Sequence, residues 1–207
     1  MLSLSLDNIG KKFGKEWIFR GVTLSIGEGT RMAILGGNGS GKSTLLQVFA
    51  GYVTANAGTV SHLISEKPVP PEELHRHISF ASPYLELPED LTGLEIAGHV
   101  AKFKPFAGDM RSDEVLSVSG LTHASDKLVR HYSSGMKQRL KLGLAILADT
   151  RLLLLDEPAS NLDREAVTWY RNLLDIYGKS RTIIVCSNAL RDEYDFCERE
   201  ISVTDYK

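Results

Sequence analysis

The sequence predicts an α/β domain: a parallel core with a helical lobe inserted between its strands. Three observations carry that expectation. Short apolar runs at Met32–Leu35, Leu152–Leu155 and Thr182–Cys186 read as buried strands. Helical periodicity accompanies them, at Leu45–Ala50 and through Val167, Tyr170, Leu174 and Tyr177. From about Leu91 to Leu147 the pattern stays helical, with breaks near Pro105–Gly108 and Gly120.

The elements follow in order. Leu2, Leu4 and Leu6 alternate with Ser3 and Ser5, as in a half-buried strand. Trp17–Ile26 reads as a second strand, closed by the turn Gly27-Glu28-Gly29. Met32–Leu35 runs into glycines, and the next helix stops at Gly51. Gly58–Leu63 reads as a strand. Lys67–Pro71 holds three of the seven prolines and reads as a loop. A last strand is expected at Ile201–Val203.

The totals set bounds. A chain of 207 residues, 43% hydrophobic, suits one domain with a buried core. A net charge of −2 gives no basic excess that would advertise a nucleic-acid partner. Cys186 and Cys197 fit a reducing, cytoplasmic setting rather than a disulfide scaffold. No apolar run approaches the roughly 20 residues of a membrane span, and no signal peptide is expected. Any membrane role would then act through a partner.

Gly36-Gly37-Asn38-Gly39-Ser40-Gly41-Lys42-Ser43-Thr44 matches G-x-x-x-x-G-K-[ST], after a predicted strand and before a predicted helix. Glycines allow a tight curl that aims backbone N–H groups at phosphate oxygens. The following helix start adds partial positive charge. Lys42 brings a cation to the β- and γ-phosphates, and the Ser43 hydroxyl can ligate magnesium. The fixed positions alone would arise by chance in on the order of one chain in a hundred. The implied ligand is ATP with Mg2+.

About 115 residues downstream, Leu152–Pro158 reads LLLLDEP. A buried strand that ends in two acids delivers them to the edge where α/β ligands bind. Asp156 can hold magnesium or its water. Glu157 is placed to polarise an attacking water. Alone, such a pair reads as solvated strand-end acids; with the phosphate loop it reads as a second half-site.

Tyr132-Ser133-Ser134-Gly135-Met136, followed by KQRLKLGLAIL, resembles the LSGGQ signature of the nucleotide-binding subunits of ATP-binding cassette (ABC) transporters. The resemblance covers nearly the whole chain. It implies a phosphate-loop, RecA-like core with an N-terminal antiparallel β subdomain and an α-helical subdomain at roughly residues 84–147, all one ABC ATPase domain over 1–207. It implies a homodimer formed on ATP, in which Ser133, Ser134 and Gly135 of one chain close over ATP held by the other. It further implies a separately encoded transmembrane subunit and a peripheral position on the inner face of the cell membrane. Phe13 matches the aromatic that stacks on adenine. Asp163, in Ser160-Asn161-Leu162-Asp163, matches the D-loop at the dimer interface. Ser133 and Asp163 also suit plain helix caps, and Phe13 a core or turn aromatic.

The sequence departs from the pattern in ways that bear on rate. Tyr132, Ser134 and Met136 replace Leu, Gly and Gln of the signature. The Gln that reaches magnesium falls on Pro83, or on Ser82 if the register slips by one. The switch His falls on Asn188, which can hydrogen-bond a phosphate but carries no positive charge. Slow hydrolysis by the isolated protein is the expectation, with Glu157, Lys42 and Asn188 as the catalytic set. A soluble cassette working with non-membrane partners, or a slow nucleotide switch, are the alternatives. Lys102, Lys104, Lys137, Arg139 and Lys141 read as solvated faces, Trp17 and Trp169 as packing residues, and Cys186 as inert. His75 and His77 lack the further ligands of a metal site.

Overall fold

The computed structural model describes residues 2–207. β1 (Ser3–Phe13) and β2 (Glu16–Ile26) form an antiparallel hairpin. β3 (Arg31–Leu35) leads through the glycine loop into α1 (Lys42–Phe49). β4 (Ala57–Ile64) pairs with β1, and the two-residue β5 (Lys67–Pro68) pairs with β4. α2 (Leu74–His77) and β6 (Ile78–Ala81) precede the helical lobe of α3 (Gly93–Phe103), α4 (Ser112–Val118) and α5 (Ser134–Leu147). β7 (Leu152–Asp156), α6 (Arg164–Tyr177), β8 (Thr182–Ser187) and β9 (Arg199–Ser202) complete the chain.

The strands make two sheets. One is antiparallel, in the order β2-β1-β4-β5; the other is parallel, in the order β6-β7-β8-β3-β9. The fold class is the one the sequence predicts, with some shifted boundaries. Lys67–Pro68 adds a short edge pairing inside the expected loop; an edge position tolerates a proline because its missing N–H faces outward. The last strand starts two residues early. α1 starts at Lys42 rather than Leu45, because its polar first turn hides the helical period.

Period two explains how one strand serves two cores. Leu153 and Leu155 of β7, with Ile183 and Val185 of β8, pack against the helical lobe and α6. Leu152, Leu154, Ile184 and Cys186 face the opposite core, with α1 and the antiparallel sheet. Both sides are dry, so these strands read as continuous apolar runs. Full burial of each such leucine is worth about 2 kcal/mol. The alternation Leu2, Leu4, Leu6 places all three in that second core.

Buried cations anchor the lobe. Arg181 donates to the carbonyls of Ala145, Ile146 and Ala148 at 3.4, 2.6 and 2.7 Å, closing the C-terminal end of α5. Burial pushes its guanidinium pKa down to about 10. Two lysines expected on solvated faces are also recruited. Lys104 donates to Ile78 O at 2.7 Å and Lys141 to Pro83 O at 2.6 Å, fastening the lobe to both ends of β6. Burial pulls both pKa values down. Sequence periodicity sees a polar residue and cannot see an acceptor-rich loop opposite it. Trp169 packs as expected, its indole N–H donating to Val118 O at 2.7 Å.

Tyr132 takes the Leu position of the signature for a structural reason. Its ring is buried, and its hydroxyl donates to Ala124 O at 2.7 Å. A Cβ at Gly93 would lie 2.5 Å from that hydroxyl oxygen. Gly93→Ala should therefore cost about 1–3 kcal/mol, the usual toll of overpacking. In a Tyr132→Leu background the same substitution should cost less, since the clash with the hydroxyl is gone. Denaturant midpoints of wild type, both single variants and the double variant check this; an equal cost of Gly93→Ala in both backgrounds would disprove the steric cause.

Candidate functional site

The site grows from the C-terminal edge of the parallel sheet, where β3, β7 and β8 end. After β3 the chain curls through Gly36–Gly41. A Cβ at Gly36 would lie 2.5 Å from Ser40 Oγ. Gly41 has φ 103°, and a Cβ there would lie 2.5 Å from Ile18. Only glycine meets both demands. Gly41 is also the N-cap of α1, with no side-chain cap and no acid in the first turn. The helix start is left open to an anion.

Lys42 is 4% exposed. Its ammonium donates to Gly36 O at 2.8 Å and Gly37 O at 3.1 Å and lies 3.6 Å from Glu157 Oε1. The loop and the second acid site thus meet at one cation. Asn38, Gly39, Ser40, Gly41, Lys42, Ser43 and Thr44 line a cavity of about 200 Å³, together with Ile18, Tyr84 and Glu157.

Asp156 is the last residue of β7 and is 1% exposed. Ser82 donates to its Oδ2 at 3.2 Å. Burial raises its carboxyl pKa, against hydrogen bonds from Ser43 and Ser82 that lower it. Its Oδ1 is buried with no hydrogen-bond partner among the described residues. A carboxylate oxygen left over beside the Ser43 hydroxyl is a hard-oxygen donor set that fits Mg2+. The two residues weighed for the Gln position have different contacts. Ser82 is buried on Asp156, while Pro83 offers its carbonyl to Lys141.

Glu157 has φ 43° and is tied by its N–H to Cys186 O at 2.9 Å. Pro158 O accepts from Gln138 of α5 at 3.0 Å. Asn188 is exposed, between Ser187 and Ala189, whose φ is 77°. Phe13 ends β1 and is 57% exposed, with Lys11 Nζ 5.1 Å from its ring centroid. That exposure does not suit a core role, and Phe13 does not line the cavity around Lys42.

The signature segment lies apart from this cavity. Ser133 caps α5, accepting from Met136 N at 3.2 Å; Ser134 is exposed. A Cβ at Gly135 would come within 3.2 Å of Asn161 O, so the segment after β7 packs on it. Asp163 caps α6, accepting from Ala166 N at 2.7 Å. No residue from 132 to 136 lines the cavity around Lys42. The structure therefore brings together Gly36–Thr44, Asp156 and Glu157, and leaves Ser133, Ser134 and Asp163 exposed at helix starts, with Gly135 half-buried against Asn161 O.

Residue reasoning missed Ser82 as an Asp156 partner, Gln138, and the buried Glu193. Glu193 follows Asp192 in a polar stretch, and nothing in that pattern marks it as internal. Cys186 is buried in β8 as expected. Cys197 has its thiol pKa pushed up to about 12 by burial, which keeps it protonated.

Comparison with known proteins gives the family. The chain is 32% identical to the ABC transporter ATP-binding protein YdbJ of Bacillus subtilis over 97% of its length, and spans 66% of that protein. It is 34% identical to the maltose/maltodextrin import ATP-binding protein MalK of Escherichia coli over 79% of its length, and spans 44% of it. It superposes with a TM-score of 0.81 on a dimeric ATP-binding cassette bound to ADP and Pi, at 24% identity, covering 96% of this chain and 93% of that one. The model of the family described as ABC transporter matches residues 19–160, and the chain belongs to that family.

Proposed function

We propose that this chain binds ATP with Mg2+ and hydrolyses it, two copies closing on the nucleotide, to drive a transporter whose membrane-spanning subunit is a separate chain. The observation that carries the reading is the meeting of Lys42, Asp156 and Glu157 at one dry strand edge, with Asp156 Oδ1 left over for a cation.

The residues divide the work as follows. Backbone N–H groups of the glycine loop and of α1 hold the phosphates, and Lys42 exchanges its carbonyl partners for β- and γ-phosphate oxygens. Phe13 offers a face to the base. Ser43 and Asp156 would hold Mg2+, which offsets charge on the transferring phosphate. Glu157 polarises the attacking water, and its Oε1 lies 3.6 Å from the Lys42 ammonium. Asn188 reaches the γ-phosphate with a neutral amide, a weaker contact than a cation gives.

The cavity at the loop is smaller than the roughly 300 Å³ at the low end of small-molecule sites. That supports a site finished by a second chain. Ser133, Ser134, Gly135 and the start of α5 are solvent-facing hydrogen-bond donors suited to that task. No helix of the described residues is long and apolar enough to cross a membrane. A groove of about 510 Å³, lined by Leu87, Leu91, Val100, Phe103 and Leu144, adjoins the Ser82–Pro83 loop. We place a cytoplasmic helix of the membrane subunit there, because its seat would bear on Lys141, Pro83 and so on Ser82 and Asp156.

Three substitutions test this reading. Glu157→Gln should lower ATP turnover by about 100-fold or more while nucleotide still binds, the usual size of a lost general base. Undiminished turnover would remove Glu157 from that role. Asn188→His should raise turnover of the isolated protein by about tenfold, since it restores a cationic contact to the transition state; equal rates would show that Asn188 is not limiting. Asp156→Asn should abolish the magnesium-dependent gain in nucleotide affinity, read by titration with Mg2+ and with EDTA. It should also flatten a pH effect. Burial makes the folded state hold the Asp156 proton more tightly than the unfolded chain, so metal-free wild type loses stability as pH rises through that interval. Thermal melts across pH check it.

A further inference from the structure

Glu193 is a buried carboxylate that the reading above leaves without a task. It lies in the segment after β8, is 2% exposed, and sits close enough to Asp156 and Glu157 to feel both charges. Three carboxylates gathered there with Lys42 oppose one another, and a buried acid is costly unless its oxygens are satisfied.

Its contacts are specific. Oε1 accepts the N–H of Ala159 at 3.0 Å, and Oε2 accepts the Ser187 hydroxyl at 2.5 Å. Its backbone carbonyl accepts the Tyr170 hydroxyl of α6 at 3.0 Å. Ala159 lies two residues past Glu157, and Ser187 immediately precedes Asn188. One carboxylate therefore spans the loop after β7 and the loop after β8. Ser187 Oγ also accepts the N–H of Leu190 at 3.1 Å, closing the turn in which Ala189 holds φ 77°. Glu157 holds φ 43°. Non-glycine residues keep such conformations only where surrounding contacts over-determine them. Glu157 itself is strained, Asn188 is followed by strained Ala189, and the same side chain bonds to both segments.

We propose that Glu193 is a positioning residue: by bridging the Ala159 N–H and the Ser187 hydroxyl it makes the Glu157 loop and the Asn188 loop move and settle as one unit. The proposal rests on the hydrolysis reading above. It also explains why α6 presents Tyr170, since that hydroxyl holds the bridge from behind.

The test compares wild type with Glu193→Ala, Glu193→Gln and Ser187→Ala, on protein shown to be folded by thermal melts. Glu193→Ala should lower kcat by about tenfold or more while the Kd for ATP stays within about twofold, the split expected when geometry in the transition state is lost and ground-state binding is kept. Glu193→Gln keeps an acceptor for Ala159 and an amide for Ser187, and should recover kcat to within about threefold of wild type. Ser187→Ala combined with Glu193→Ala should be no slower than Glu193→Ala alone, because both cut one bridge. Amide exchange supplies a readout independent of turnover: Glu193→Ala should speed exchange at 159–163 and at 188–190 together and leave α1 unchanged. Wild-type kcat in folded Glu193→Ala, or a Gln variant as slow as Ala, overturns the proposal. Where Glu193→Ala does not fold, wild-type kcat in Ser187→Ala overturns it. A wild-type chain without turnover would instead remove the hydrolysis reading. The exchange data then still decide the bridge, and faster exchange in only one segment overturns it.

Discussion

The ammonium of Lys42 is held almost wholly out of water beside two carboxylates, and the rest of the molecule is shaped by keeping it there. A buried cation without partners would cost several kcal/mol. Here two loop carbonyls and Glu157 compensate it. That arrangement needs a loop that curls back on itself, hence glycine where a Cβ would strike Ser40 or Ile18. It needs β7 and β8 to end level with β3, which the parallel order β7-β8-β3 provides. It also needs two dry faces to fix those strands, hence apolar residues at consecutive positions. An anion arriving at Lys42 meets a cation whose desolvation is already complete. Its charge therefore counts for more than it would in water.

The same arrangement bears on the proposal that one copy holds half of a site. Phosphate-binding groups gather on one edge, while Ser133 caps α5 away from that cavity. The two are linked within the chain by specific ties. Gln138 of α5 holds Pro158 O, and Asn161 O rests on Gly135. In the proposed dimer, these ties would carry a change at the Glu157 loop to the signature face of the same chain and so to the nucleotide held by a second chain. Glu193 extends that coupling to the switch segment. Ser82 ties β6 and its neighbouring groove to Asp156.

Much of this was legible in residue order. The glycine loop, the LLLLDEP strand end and the helical lobe need only local chemistry and periodicity, and all three stand where the sequence puts them. What escaped depends on partners remote in sequence. Lys104 and Lys141 look solvated until carbonyls at both ends of β6 are seen opposite them. Glu193 sits in a run of charged residues and turns inward only because Ala159 and Ser187 converge there. Tyr132 looks like a weakened signature. In the fold it is a lobe residue, matched by a glycine 39 positions away. Ser82 looks like an ordinary loop serine in residue order, and its hydrogen bond to Asp156 appears only once β6 and β7 lie side by side.

The central claim is that the nucleotide site is completed by a second copy of the chain. Sedimentation of the Glu157→Gln protein, which should retain ATP without consuming it, tests that most directly. The account predicts a monomer without nucleotide and with ADP, and a dimer with ATP and Mg2+. It further predicts that Ser133→Arg, which crowds the signature face, keeps ATP binding and loses the dimer. A protein that binds ATP and Mg2+ and stays monomeric at concentrations far above its nucleotide Kd would contradict it.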